Sequence, residues 1–322
     1  MNVSVIIPTH NRPTLLPRAI ASARSAGADV EIVVVDDGAT DETLRVCKDL
    51  RGVVYVRNAT RLGVGGARHS GVDASSGQFL TFLDDDDIRL PGSLDLQIRT
   101  LQENPMAALS YGLVHRGSAD LSLTRGTLPP KCIVGDVFWE LLHDNFIPSI
   151  SAVFRRSAFA AVGGLRAELA PSDDWDLWVR IAERFPVTCV EVPVAVWRES
   201  TLESGQGSSK AVGGILESSI KAYCALATLS RVQTDCRRFR LAESAHRSAM
   251  IDRLLRETVE ALCHRDLYAA SSLKASVMLS PRGVICRLLQ ARYWRYAIAT
   301  LRGLPRGTAG TGLAGENYAS AL

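Results

Sequence analysis

Short β-branched runs alternate with helical segments from Val3 to Leu83, and no other feature restricts the fold as strongly. Val3-Ser-Val-Ile-Ile7, Val30-Glu-Ile-Val-Val-Val35, Val53-Val-Tyr-Val56 and Gln78-Phe-Leu-Thr-Phe-Leu83 predict four strands. Between them, Leu15 to Ser25 carries apolar residues at helical spacing, with Thr14 as its expected N-cap. Thr40 or Asp41 is expected to cap a helix running through Leu50. Gly63-Val-Gly-Gly66 opens a third helix to about Ser75, and Gly77 stops it. The order βαβαβαβ implies an α/β fold: a mostly parallel sheet, right-handed crossovers, helices on both faces, and ligands at the carboxyl ends of the strands.

Downstream the pattern loosens. Residues 92–103 read as a helix, 107–114 as a strand, and 116–135 as a Gly/Ser/Thr/Pro loop. A strand at 150–154, an amphipathic helix at 174–184 and a strand at 187–192 follow. Residues 199–214 read as a linker loop, after which the chain looks mainly helical to about Gly303. Leu241, Ala245, Ile251, Leu255, Val259 and Leu262 form an apolar stripe expected to pack as core. These divisions predict a domain over 1–210 with halves meeting near 115, a helical domain over 211–304, and a frayed tail over 305–322.

Charge is uneven along the 322 residues: 1–210 carry a net −5 and 211–322 a net +8. The basic tail, including Arg287 to Arg302 with Tyr293, Trp294 and Tyr296, suits an anionic membrane surface or a packed, dimer-forming helix. Seven scattered cysteines without zinc spacing point to reduced thiols and a cytoplasmic setting. A strand beginning almost at Met1 leaves no room for a signal peptide, and no apolar run approaches a membrane span.

The chemistry gathers at strand ends. Thr9, His10 and Asn11 follow the first strand, Asp36 and Asp37 the second, and Asp84 to Asp87 the fourth. Four adjacent carboxylates repel one another, so they lie either in a solvated turn or around a hard cation such as Mg²⁺ or Mn²⁺. Gly63-Val-Gly-Gly-Ala-Arg68 tempts a dinucleotide reading, but its sixth position is Arg68 and no tight turn precedes it. Asp173 and Asp174 precede a helix with Trp175 and Trp178. They are either helix caps or a general base beside a hydroxyl acceptor, with Trp as a stacking wall.

Taken in order, these pieces resemble family-2 glycosyltransferases of the GT-A fold. The matching segments are Val3 to Arg12, Glu31 to Gly38 with Thr40-Asp41, Arg61-Leu-Gly63 with Gly66-Ala-Arg68, Gly77 to Asp87, Val162-Gly-Gly-Leu165 after Phe154-Arg155, and Ser172 to Arg180. The resemblance spans about residues 1–200 and leaves out the helical tail. It implies that Thr9, Asn11 and Asp37 line a nucleotide pocket, with Asp37 reading the base, and that Arg68 approaches the diphosphate or orients the Asp run. Asp84 and Asp86 would hold a divalent cation, with Asp86 the more direct ligand and Asp85 at the ribose or metal shell. Asp174 would be the catalytic base, and His10 would take the place of a base-stacking aromatic.

The implied partners are a nucleoside-diphosphate sugar and a saccharide, lipid-linked or small-molecule acceptor, with no nucleic acid. Peripheral membrane contact at the cytoplasmic face and a homodimer stay open. No Gln-x-x-Arg-Trp motif of processive members follows the base region, so single transfer is expected. The other classes are a sugar-phosphate nucleotidyltransferase, which needs a basic glycine-rich loop where Thr9 to Thr14 offer only Arg12, and an inactive nucleotide-binding scaffold, against which Asp84, Asp86 and Asp174 stand.

Overall fold

A computed structural model describes residues 2–38, 41–48, 52–118, 120–198, 208–263 and single positions between 273 and 285. Its core is a mixed sheet. Strands β1 (Val3–Thr9), β2 (Val30–Asp36), β3 (Val53–Arg57) and β4 (Phe79–Phe82) are mutually parallel. They are linked by helices α1 (Leu16–Ser25), α2 (Asp41–Lys48) and α3 (Gly63–Asp73). The chain continues through β5 (Ile88–Arg89), α4 (Ser93–Glu103), β6 (Leu109–Gly117), β7 (Leu123–Leu128), α5 (Phe138–His143), β8 (Val153–Arg155), α6 (Arg156–Ala161), α7 (Asp173–Arg184) and β9 (Val187–Arg198). The strand order is β3-β2-β1-β4-β8-β6-β9-β5, with β7 paired to β6. β8 runs antiparallel to both β4 and β6, which makes the sheet mixed.

The continuous apolar runs of β1 and β2 follow from burial on both faces. Val5, Ile7 and Val34 join Leu16, Ala19 and Ile20 of α1 in one cluster. Ile6, Val33 and Val35 join Ala67 of α3 and Trp178 of α7 in the other.

Several expectations are corrected. Thr14 does not cap α1: Leu15 takes the N-cap position without a side-chain bond, and Pro17 preorganises the first turn instead. The 116–135 loop contains β7, which pairs antiparallel with β6 as a hairpin that its Gly- and Thr-rich composition hides. The strand from Val187 runs to Arg198, not Val192; Pro193 masks it, and register shifts opposite Leu113 accommodate the proline. Helix α8 (Ser208–Leu226) begins inside the expected linker, whose residues 199–207 lie outside the described ones. Leu241 of the apolar stripe is exposed, whereas Ile251 and Leu255 are buried. Cys132 and Cys189 form a disulfide with Cα atoms 6.1 Å apart, so the expectation of reduced thiols fails for this pair. Tyr111 pairs with Cys189 across the sheet and binds Ile133 through its hydroxyl, drawing together cysteines 57 residues apart.

Beyond α8, α9 (Ser230–Thr234) and α10 (Cys236–Cys263) follow. The chain forms two compact units, Met1–Gly207 with Glu217–Glu243, and Ser208–Leu216 with Ser244–Leu322. In the first, the Tyr223 ring meets Trp175 at 5.1 Å and Phe239 at 5.7 Å, and its hydroxyl donates to the Leu142 carbonyl. In the second, Ile251, Leu255 and Val284 pack together. The basic stretch 287–302 and the tail 305–322 lie outside the described residues. No helix among the described residues is long and apolar enough to cross a membrane.

Candidate active site

Parallel pairing brings the ends of β1, β2 and β4 to one side of the sheet. The Asp37 N–H donates to the Thr9 carbonyl at 2.9 Å, and the Thr9 hydroxyl donates to Asp85 at 2.7 Å. Arg12 Nη1 reaches Asp85 at 2.7 Å and Asp86 at 3.5 Å. The His10 ring is tethered by Nδ1, 2.8 Å from the Asp37 carbonyl. Asn11 has φ +55°, a left-handed conformation that asparagine tolerates better than most residues, and its side chain is exposed. Asp37 is turned inward. Its carboxylate accepts from Asn58 Nδ2 at 2.9 Å and from the N–H groups of Leu62 and Gly63 at 2.8 Å each. That places its charge at the start of α3, where the exposed amides favour an anion.

The four aspartates occupy different environments. Asp84 keeps 24% of its side chain exposed, whereas Asp85, Asp86 and Asp87 are buried. Burial lifts the Asp85 carboxyl above its ordinary range, against the pull of Arg12 and Thr9. Asp86 is pushed up to about 6, first by burial and then by the charges of Asp84 and Asp85. Asp87 stands well above the carboxylate range for the same reasons, and its Oδ1 accepts the Arg198 N–H at 2.7 Å. Among the described residues no three His, Cys, Asp or Glu side chains are arranged to enclose a metal. The donor set nevertheless fits a hard divalent cation in part. Asp84 is accessible, and Asp86 is a carboxylate crowded by like charge whose Arg12 contact is long. Asp84 and Asp86 would supply two oxygen ligands, and substrate oxygens would complete the shell.

Helix α3 lies close enough to bring Arg68 beneath this cluster because of its glycines. A Cβ on Gly71 would come within 2.3 Å of Ile6 Cγ2, and one on Gly65 within 2.8 Å of the Ala167 backbone. These glycines serve close packing, the physical reason the segment resembles a phosphate-binding loop without being built as one. Arg68 is buried and bonds Asp84 and Asp173 at 3.1 Å each. It thereby joins the end of β4 to the first turn of α7.

Asp173 is fully buried, while Asp174 beside it is partly exposed. The Asp174 carboxyl is pushed up to about 7, chiefly by burial and then by the Asp173 charge. Arg68 opposes that rise and Asp84 adds slightly to it. A partly exposed carboxyl poised near neutrality beside the carboxyl ends of the strands is suited to taking a proton. The stacking-wall expectation is corrected. Trp175 donates to the Leu141 carbonyl at 2.6 Å, and Trp178 packs edge-on against Phe154, so both indoles belong to the core.

The structure thus gathers Thr9, Arg68, Asp84, Asp85, Asp86 and Asp174 around one end of the sheet, and turns Asp37 toward the α3 entrance. The pairing of Arg12 with Asp85, of Asp173 with Arg68 and of the Arg198 backbone with Asp87 is not visible in the sequence. Arg12 was visible as the lone cation after the first strand, whereas the other two contacts depend on long-range pairing.

Residues 4–163 match the family model for glycosyl transferase family 2. The chain belongs to that family. It is 39% identical over 107 residues to the Campylobacter jejuni GalNAc(5)-diNAcBac-PP-undecaprenol beta-1,3-glucosyltransferase, covering 31% of this chain and 35% of that protein. An uncharacterized glycosyltransferase of Haemophilus influenzae is 25% identical over 185 residues, 56% of this chain and 62% of its own length. These matches span between about a third and three fifths of the relatives' lengths. Among solved structures, the mannosyltransferase PcManGT from Pyrobaculum calidifontis, in complex with GDP-Man and Mn²⁺, superposes with TM-score 0.59 at 16% identity, covering 93% of this chain and 85% of that one. The S. aureus TarS fragment 1-349 with UDP-GlcNAc gives 0.57 at 16% identity, over 94% and 88%. The shared α/β fold is that of these transferases.

Proposed function

We propose that this protein transfers a sugar from a nucleoside-diphosphate donor to an acceptor hydroxyl by a single inverting displacement. The observation that carries this reading is Asp174: a partly exposed carboxyl held near pH 7, linked through Arg68 to the acidic end of β4. Thr9, Asn11, Asp37 and the ordered loop after β1 form the side that would take the nucleotide. Here Asp37 contributes through its backbone and the shape of the 58–63 turn, since its carboxylate is already bonded. Arg12, from the loop after β1, brings positive charge to the carboxylate cluster where a diphosphate would lie, while Arg68, buried against Asp84 and Asp173, offsets the charge of those acids instead of reaching the diphosphate itself. A divalent cation, Mn²⁺ or Mg²⁺, held by Asp84 and Asp86 would offset negative charge on the departing diphosphate.

Asp174 accepts the proton of the acceptor hydroxyl as that oxygen attacks the anomeric carbon. The diphosphate leaves from the opposite face with the bonding electrons, and the configuration inverts. The nucleotide sugars in the PcManGT and TarS structures support the donor class, and the undecaprenol-linked substrate named for the C. jejuni relative supports a lipid-linked saccharide as acceptor. Such an acceptor would draw the protein to a membrane surface for single, non-processive transfers.

The test is Asp174→Asn. Turnover is expected to fall by about 10³-fold, within the range for loss of a general base. Nucleoside-diphosphate affinity with Mn²⁺, measured by calorimetry, is expected to stay within about threefold, because the substitution leaves the donor side intact. Near-wild-type turnover would overturn the assignment. Asp86→Ala separately tests the cation: the Mn²⁺ dependence of nucleotide binding is expected to disappear.

A further inference from the structure

The pair Arg68–Asp173 is a poor device for stability. Both side chains are buried, at 5% and 0% exposure, yet they share a single 3.1 Å bond. Arg68 Nε and Asp173 Oδ1 are buried without hydrogen-bond partners. Taking two charges out of water is costly, and only excellent geometry returns that cost. Orphaned atoms make that return smaller. An apolar pair of similar size would fill the same space without the cost.

The pair does make a continuous connection. Asp84 accepts from Arg68 Nη2, Asp173 accepts from Arg68 Nη1, and Asp173 immediately precedes Asp174 on α7. Asp84 comes from the end of β4, Arg68 from α3, and the two adjacent acids from α7. The bridge spans 105 residues of sequence and joins the strand-end cluster to the helix that presents the base.

We propose that Asp173 is a positioning residue for the transfer reaction: through Arg68 it fixes the first turn of α7, and so Asp174, against the Asp84 end of β4. This rests on the reading of Asp174 as the base. Among the described residues, the charged groups that act most on Asp174 are Asp173 on its own helix, Arg68 on α3 and Asp84 after β4. Removing the Asp173 charge therefore acts on Asp174 twice. It loosens the placement of Asp174, and it removes the like charge that raises the Asp174 carboxyl.

The experiment compares Asp173→Asn, Asp173→Glu and Asp174→Asn in the full chain. The readouts are steady-state turnover against pH, KM for the nucleotide sugar, and thermal melting. For Asp173→Asn, turnover is expected to fall about 10²-fold, the scale of an ångström-sized misplacement. Donor KM is expected to stay within about threefold, since the donor contacts are retained. The midpoint of the pH profile is expected to move down from near 7. Asp173→Glu keeps the charge and is expected to be intermediate, with its midpoint back near 7.

An Asp173→Asn variant with wild-type turnover and midpoint, beside an inactive Asp174→Asn, overturns this inference and leaves the base assignment standing. An active Asp174→Asn overturns the base assignment itself. Should Asp173→Asn fail to fold, Asp173→Glu decides: reduced turnover at a normal melting temperature supports positioning, and full activity makes Asp173 merely structural.

Discussion

Asp174 and Asp86 are acids that fold with their carboxyls raised, to about 7 and about 6, and this has two consequences with opposite pH signs. For the reaction, Asp174 must be ionised, so turnover is expected to rise with pH through about 7 and then level. For stability, the folded chain holds protons that the unfolded chain releases near pH ~4, so both groups make stability fall as pH climbs from there toward their folded values. Asp174→Asn removes that loss. Its melting temperature is expected to exceed that of the wild type at pH 8, with the gap closing as pH falls toward ~4. A gap of the same size at both ends of the range would contradict the raised carboxyl. At this scale the sequence displayed every acid of the cluster, because adjacency in the chain marks Asp84 to Asp87 and Asp173-Asp174. It could not display which were buried, which bonded Arg12 or Arg68, or that Asp37 spends its carboxylate on the α3 entrance.

Elements place these residues through close packing. Helix α3 carries Arg68 only because Gly71 lets it lie on Ile6 and Gly65 lets it pass the Ala167 backbone. Gly71→Ala is expected to cost about 1–3 kcal/mol, since the new methyl meets a buried side chain on one side and Val35 on the other. Chemical denaturation reads that cost directly, and Gly63, where a Cβ would meet open space at φ +77°, is the contrasting site. A buried carboxylate fastens the amino ends of the same strands: Glu31 accepts from Ser4, Ser76 and the Ser76 N–H, tying β2 to β1 and to the turn before β4. The parallel strands were legible because burial on both faces demands continuous β-branched runs. β7 and the end of β9 were not. Their pairing to β6 depends on partners far along the chain, and Pro193 is tolerated only where the ladder shifts register.

For the whole molecule, the α/β unit extends past the sheet. Tyr223 meets Trp175 edge-on and Phe239 at a tilt and donates to the Leu142 carbonyl, while Arg231 pairs with Asp136 at 2.8 Å. The Ser172 and Ser218 hydroxyls meet at 2.8 Å directly beside the start of α7. The helical segment 217–243 therefore buttresses the helix bearing Asp174. Tyr223→Ala is expected to destabilise the unit by about 3–5 kcal/mol, as for other large aromatic truncations, and to lower turnover more than donor affinity. A lowered denaturation midpoint accompanied by unchanged kinetics would separate the buttress from the site.

Strand–helix alternation, the parallel half of the sheet and the acids gathered at its carboxyl ends can all be read along the chain. All of these follow from local periodicity and from carboxylates adjacent in the chain. Folding alone settles which cation meets which acid, that Cys132 reaches Cys189, that Trp175 and Trp178 face the core, and that Arg68 spans two acids 89 residues apart. Each is a contact between segments distant in sequence, set by the dense packing of side chains that no local pattern encodes.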